Sequence, residues 1–263
     1  MTAYDDDLRL AHVLADSADS ITMDRFRALD LVVSTKPDLT PVSDADTRVE
    51  EALRSTLGRT RSRDAVLGEE MGLTGSAARR WVIDPIDATK NFVRGVPVWA
   101  TLIALMDGDV VVAGLVSAPA LGRRWWAGLG SGAYTGKSLS SATRLTVSKV
   151  DTIGDASLSY SDLQGWGIRA ETFLDLARGV WRTRAYGDFW SYMLVAEGAV
   201  DIATEPEVAL HDLAAPAIIV TEAGGQFTDL DGNPGPAGGS AIATNGLLQE
   251  TVVDRLRPPL TLI

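Results

Sequence analysis

The 263-residue sequence contains no cysteine and only two histidines. The absence of cysteine excludes disulfides, zinc–thiolate and iron–sulfur sites, and cysteine nucleophiles. Two histidines are too few for a metal site built mainly from imidazoles. Metal binding and acid–base chemistry would therefore rest on carboxylates, the ligands that suit hard cations such as Mg²⁺.

Positive charge is also scarce, with 24 Lys and Arg against 35 Asp and Glu and a formal net charge of −11. A chain of this kind without basic runs is a poor candidate for nucleic-acid binding. The longest apolar stretch, residues 102–121, is interrupted by Asp107, Gly108 and Pro119, so it does not predict a membrane span. The N-terminal segment is acidic where a secretory signal would be basic. We therefore expect a cytoplasmic protein with no nucleic-acid or membrane partner.

The apolar pattern predicts helices and strands in both halves of the chain. Residues 8–26 and 45–57 have helical spacing, the second stretch ending at Gly58. Residues 99–106 and 110–117 form a predicted hairpin around an Asp-Gly turn. Beyond residue 140, predicted strands near 157–160, 183–186, 201–204 and 226–229 alternate with predicted helices near 172–180, 189–196, 213–223 and 245–256. This mixture indicates a layered α/β fold, a single domain over 1–263 with loose halves 1–140 and 141–263.

The most informative segment is Asp84-Pro-Ile-Asp87-Ala-Thr89, which follows an apolar strand at residues 81–83. Asp87 and Thr89 fall where a helix would begin, and the free N–H groups of a helix start can bind phosphate. Two carboxylates beside a phosphate repel it unless a cation lies between them. The alternative interpretation is that these aspartates only form turns and helix caps.

Three other segments place acids in similar positions. Glu69 and Glu70 follow the apolar run at 65–67, Asp46 lies at the start of the second predicted helix, and Asp212 opens a later one. Each alone is explained by capping. Together with Asp84-Pro-Ile-Asp87 and Glu222-Ala-Gly-Gly225, the ordered set resembles the inositol monophosphatase family of Mg²⁺-dependent, Li⁺-sensitive phosphatases. Residues 93–99, 118–126 and 184–189 look most like the actinobacterial histidinol-phosphatases.

The resemblance implies a fold, a cofactor and a set of site residues. The fold is the α/β (α+β) five-layered αβαβα sandwich of the inositol monophosphatase and fructose-1,6-bisphosphatase type, usually a homodimer. Two or three Mg²⁺ ions are implied, held by Glu69, Asp84, Asp87, Asp212 and the carbonyl oxygen of Ile86. The other implied roles are activation of a water by Asp46 and Thr89, an auxiliary metal position near Lys36, and phosphate binding by Asp87 and the N–H groups of Ala88 and Thr89.

The same resemblance places Arg184, Asp188, Glu205 and Asp212 near the alcohol part of a small phosphorylated-alcohol substrate. Two acids there favour a cationic leaving group, which makes L-histidinol phosphate the first choice. Capping for Asp188 and a solvated loop for Glu205 remain the simpler alternatives.

Two positions depart from the family pattern. Ala88 stands where the family has glycine, which would lower phosphate affinity if the backbone needs a positive φ there. His211 stands where tryptophan is usual. These departures leave three alternatives open: an inositol-1-phosphate phosphatase, a phosphatase of secondary metabolism, or a catalytically impaired binding module with the same fold.

Overall fold

The computed structural model describes residues 4–37 and 39–258. The N-terminal part forms two long helices, α1 (Asp5–Arg25) and α2 (Asp44–Thr60), joined through a short hairpin of β1 (Val33–Thr35) and β2 (Pro41–Ser43). Both predicted helices are confirmed. The predicted end of the second at Gly58 is wrong, because one glycine costs a helix only about 1 kcal/mol and the Arg61 N–H still closes the last turn on the Leu57 carbonyl.

The next part of the chain builds an eight-stranded sheet in the order β10-β9-β8-β7-β6-β5-β3-β4. All neighbours are antiparallel except β3 and β5, and helix α3 (Thr89–Val93) follows β5. The predicted hairpin is confirmed as β6 and β7. The strands are β3 (Ala65–Gly68), β4 (Gly72–Thr74), β5 (Arg79–Asp87), β6 (Ala100–Asp107), β7 (Val110–Ala118), β8 (Arg123–Gly128), β9 (Gly132–Ser138) and β10 (Ser141–Arg144).

The last part forms a five-stranded mixed sheet in the order β12-β11-β13-β15-β14. Its strands are β11 (Ser157–Ser159), β12 (Arg182–Arg184), β13 (Ile202–Glu205), β14 (Gln226–Thr228) and β15 (Ala241–Thr244), and its helices are α4 (Ala170–Gly179), α5 (Asp188–Ala196), α6 (Leu210–Glu222) and α7 (Gln249–Leu256). The predicted helix at 245–256 begins too early. The Asn245 side chain accepts the N–H groups of Leu247 and Leu248, which forms a turn before α7.

Successive side chains of a strand point to opposite faces of its sheet and pack against different helices, and the elements therefore form five layers. Along β6, Ile103 and Leu105 pack against α1 and α2, whereas Leu102 and Ala104 face α5 and α6. The opposite side of that helix layer rests on the five-stranded sheet, whose outer face is covered by α4 and α7. The αβαβα sandwich is therefore confirmed. Within the described ranges, no helix has both the length and the apolar character needed to cross a membrane.

Candidate active site

Three acidic side chains from distant parts of the chain meet at one point. Asp84 and Asp87 lie at the end of β5, and Asp212 lies in the first turn of α6. Each offers a carboxylate oxygen, and the three oxygens lie within 4.8 Å of one another. The first turn of α6 is fixed by the Ala209 N–H, which donates to Asp212 Oδ2 at 2.8 Å. The Phe189 N–H donates to Asp87 Oδ2 at 2.9 Å and so joins α5 to the same cluster.

Glu69 approaches this cluster from the neighbouring strand. Because β3 runs parallel to β5, both strands end at the same edge of the sheet, and the Glu69 N–H donates to the Ile83 carbonyl at 3.2 Å. The Glu69 carboxylate is close enough to Asp84 to raise the pKa of that buried acid. Lys36 Nζ lies 2.6 Å from an oxygen of Glu69 and 2.6 Å from one of Glu70.

Burial and mutual repulsion destabilise the charged forms of these acids. Burial, followed by the charges of Glu69, Asp87 and Asp212, raises the pKa of Asp84 well above its ordinary value. Burial and the charges of Asp188 and Asp212 do the same to the pKa of Asp87. Among the described residues, Asp84 Oδ1 is buried without a hydrogen-bond partner. Several clustered oxygen ligands with an unsatisfied buried carboxylate fit a hard divalent cation such as Mg²⁺.

Asp46 and Thr89 lie beside the metal-ligand candidates. The fully buried Asp46 accepts hydrogen bonds from the Ser43 N–H at 2.8 Å and hydroxyl at 2.7 Å through Oδ2. Its Oδ1 is also buried and has no partner in the described part of the chain. Burial is the main cause that raises the pKa of Asp46 to about 6. Thr89 Oγ1 donates to the carbonyl oxygen of Ile86 at 2.9 Å, which fixes that carbonyl.

Ala88 adopts a left-handed conformation, with φ of +65° and ψ of +46°. An L-residue with a Cβ pays roughly 1–2 kcal/mol for this conformation, whereas glycine does not. The departure from the family glycine is therefore a source of backbone strain. Helix α3, which begins at Thr89, has only five residues. Phosphate binding here would depend on individual N–H groups rather than on a long helix dipole.

A cavity of about 660 Å³ opens above the acidic cluster. Asp188 and Glu205 also line this cavity, and Glu205 accepts a hydrogen bond from the Ser161 hydroxyl. Burial chiefly, with repulsion from Asp212, raises the pKa of Asp188 to about 6. Burial likewise raises the pKa of Glu205 to about 8, despite the hydrogen bond from Ser161. Arg184 is exposed, donates to the Thr183 carbonyl, and lies outside the residues that line the cavity.

Three cavity residues were not singled out from the sequence. Lys90 brings a cation to the cavity beside Thr89, and its position directly after the motif was the available signal. Ser161 becomes relevant only through its contact with Glu205. Tyr192 lines the cavity with a buried hydroxyl that has no partner among the described residues, and its position inside an apolar helix gave no signal. His211, the second departure, has Nε2 3.6 Å from Asp212 Oδ1.

Comparison with known proteins identifies the family of this chain. A histidinol-phosphatase from Streptomyces coelicolor is 64% identical over 97% of this chain and 98% of its own length. A histidinol-phosphatase from Mycobacterium tuberculosis is 60% identical over 95% of this chain and 98% of its own length. A solved inositol monophosphatase from Zymomonas mobilis has a TM-score of 0.85 at 30% identity, over 97% of this chain and 99% of that chain. A solved structure of the extragenic suppressor protein SuhB from Bartonella henselae has a TM-score of 0.87 at 27% identity, over 96% of this chain and 99% of that chain. A model of the inositol monophosphatase family matches residues 4–258, and the chain therefore belongs to the inositol monophosphatase family.

Proposed function

We propose that this chain is a Mg²⁺-dependent phosphomonoesterase that hydrolyses L-histidinol phosphate to L-histidinol and phosphate, a step of histidine biosynthesis. The observation that carries the proposal is one cavity lined both by a carboxylate cluster and by further acids. Asp84, Asp87 and Asp212 form the cluster, and Asp188 and Glu205 also line the cavity. The names of the two relatives that are 64% and 60% identical support the choice of substrate.

The carboxylate cluster suits two or three Mg²⁺ ions. Glu69, Asp84 and the Ile86 carbonyl would hold one ion, and Asp84, Asp87 and Asp212 would hold another. When bound, Mg²⁺ supplies a water acidified for attack and neutralises charge that develops on the phosphoryl and leaving oxygens. Each assigned donor atom is an oxygen, the ligand type that Mg²⁺ prefers.

The chain's own residues would orient the reactants. The N–H groups of Ala88 and Thr89 would donate to the phosphate oxygens, with Lys90 at the cavity wall as a counter-charge. Asp46 would accept a proton from the attacking water, and its pKa near 6 leaves it mostly deprotonated at neutral pH. The Thr89 hydroxyl, beside the Ile86 carbonyl, would orient that water.

Asp188 and Glu205 would select the leaving group. Histidinol carries an ammonium group and an imidazole, and both are complementary to the carboxylates of Asp188 and Glu205. A cation placed between these acids offsets the cost of their buried charge, whereas a neutral polyol does not. The charged, water-soluble substrate supports a cytoplasmic location, and the family resemblance supports a homodimer.

A phosphate-release assay on the purified chain tests the proposal. L-histidinol phosphate, inositol 1-phosphate and glycerol 2-phosphate would be compared with Mg²⁺ and with EDTA. We expect the highest kcat/KM with histidinol phosphate, loss of activity in EDTA, and recovery on adding Mg²⁺. Asp84→Asn should abolish turnover. A preference for inositol 1-phosphate would reject the substrate assignment, and turnover undiminished in EDTA would reject the mechanism.

A further inference from the structure

Glu50 is a fully buried carboxylate on α2, one helical turn after Asp46 and on the same face. Its nearest cation is Arg54, whose Nε donates to Glu50 Oε1 at 2.8 Å. Neither residue lines the cavity. A buried acid must be compensated by hydrogen bonds and charge, so the groups that contact Glu50 show what it holds in place.

The other groups that contact Glu50 belong to the turn between β3 and β4. Glu50 Oε2 accepts the Glu70 N–H at 2.8 Å, and Oε1 accepts the Met71 N–H at 3.1 Å. The carboxylate passes so close to Gly68 that a Cβ at that position would collide with it. Glu50 therefore holds two consecutive N–H groups immediately after Glu69.

Arg54 forms hydrogen bonds to the end of the same turn and to β4. Its guanidinium donates to the Gly72 carbonyl and, at 2.8 Å, to the Thr74 hydroxyl. The Glu50–Arg54 pair thus connects helix α2 to a five-residue turn, Gly68 to Gly72, through three hydrogen bonds, and to Thr74 on β4 through a fourth. Glu69 and Glu70 project from the centre of that turn.

We infer that Glu50 is a positioning residue that fixes the β3–β4 turn and thereby presents Glu69 to the cation. The inference rests on the proposed function, because Glu69 is assigned there as a metal ligand. Helix α2 then carries two separate parts of the site, with Asp46 at its start and Glu50 beneath the turn. Residues that orient metal ligands in this way typically change metal affinity about 10–100-fold when they are replaced.

The test measures Mn²⁺ binding to the full chain from the electron paramagnetic resonance signal of free Mn²⁺. Glu50→Gln keeps the length of the side chain but removes its charge and one accepting oxygen. We expect its Mn²⁺ dissociation constant to rise about tenfold or more. The Mg²⁺ concentration for half-maximal activity should rise in parallel, with kcat at saturating Mg²⁺ within a few-fold of the wild type.

Asp64→Asn is the matched control. Asp64 precedes the opposite end of β3, where its carboxylate pairs with Arg79 and Trp81 at 3.0 Å each. This variant should lose stability but bind Mn²⁺ within about twofold of the wild type. If Glu50→Gln does not fold, Arg54→Lys, which loses the fork to Gly72 and Thr74, should show the same weakening.

The outcomes separate this inference from the proposed function. Wild-type Mn²⁺ affinity in folded Glu50→Gln, or in its substitute Arg54→Lys, would overturn the positioning role alone. Equally weakened Mn²⁺ binding in Asp64→Asn would also overturn the positioning role, because the loss of affinity would then result from lower stability and not from a displaced β3–β4 turn. A wild-type chain that binds no Mn²⁺ would overturn the proposed metal chemistry, and this inference with it.

Discussion

Lys36 forms an ion pair with Glu69, with Nζ 2.6 Å from the carboxylate oxygen Oε1. Burial opposes the charge on Lys36, but hydrogen bonds and attraction from Glu69 and Glu70 outweigh it and raise the pKa of Lys36 above its usual value. The ammonium group is therefore a fixed positive charge held by a proposed metal ligand. It would compete with a divalent cation for the same oxygen.

Removing this charge should strengthen metal binding. In Lys36→Met, Glu69 no longer has an internal cation, and repulsion between the ammonium and a bound ion disappears. For an ammonium and a divalent ion about 6 Å apart and screened by water, this repulsion is about 1.4 kcal/mol. We expect a Mn²⁺ dissociation constant about three- to tenfold lower than that of the wild type, measured by titration. Lys137→Met, which removes an exposed lysine from β9, is the control, and weaker binding in Lys36→Met would contradict the competition.

The sequence singled out those acids whose local context is distinctive. Asp84, Asp87 and Glu69 each follow a strongly apolar strand, and strand ends gather at one edge of a sheet. Asp212 opens a helix that the apolar pattern also indicated. These residues were assigned through the family motif, and the structure brings Asp84, Asp87 and Asp212 together as that motif implies.

Features that depend on tertiary contacts could not be predicted in this way. Strands β4 and β10 are short and largely exposed, so they lack an apolar alternation, and their pairing comes from the strands beside them. The left-handed φ of Ala88 is imposed by the tight turn between β5 and α3. The sequence also gives no indication of the role of Glu50, because the N–H groups that it accepts lie 20 and 21 residues further along the chain.

Ala88→Gly should increase both stability and phosphate affinity. Glycine adopts a φ of +65° without the Cβ penalty, so the free energy of unfolding should rise by about 1 kcal/mol. The product phosphate should also inhibit the variant at a lower concentration, because the methyl group beside the N–H donors is removed. Thermal unfolding and a phosphate inhibition constant provide the two measurements.

Ala133→Gly, a buried strand position, is the control for Ala88→Gly and should lose stability. Lower stability of Ala88→Gly would contradict the strain argument. An inactive wild type that regains turnover on Ala88→Gly would instead favour the impaired binding module.

Glu205→Gln should reduce discrimination in favour of a cationic leaving group. Glu205 is buried in the cavity and accepts a hydrogen bond from Ser161. Burial favours its neutral form, and the ammonium group of a bound substrate would favour the carboxylate. A hydrogen bond from that ammonium group to the carboxylate would contribute roughly 1.5–3 kcal/mol. Its loss in the variant corresponds to a KM for histidinol phosphate raised about tenfold or more. The KM for glycerol 2-phosphate should stay within about twofold.

Glu207→Gln is the matched control, since Glu207 also lines the cavity but is exposed to solvent. Its charge is screened by water and salt, so both KM values should change little. A similar increase for the cationic and the neutral substrate in Glu205→Gln would show that Glu205 shapes the cavity without recognising charge.

His12 should make the free energy of unfolding depend on pH below neutrality. It is buried on α1 against Trp126, and burial, followed by the charge of Arg124, lowers its pKa to about 4 from an ordinary 6.5. The unfolded chain therefore takes up the proton first as the pH falls, and the folded state loses stability between pH 6.5 and 4. After allowance for solvent screening, this loss is about 1–2 kcal/mol.

In His12→Gln this part of the pH dependence should disappear. The free energy of unfolding in urea, measured for both proteins, should therefore fall more for the wild type than for the variant between pH 7 and pH 4. A difference that stays constant across this range would show that His12 does not titrate differently in the folded and unfolded states.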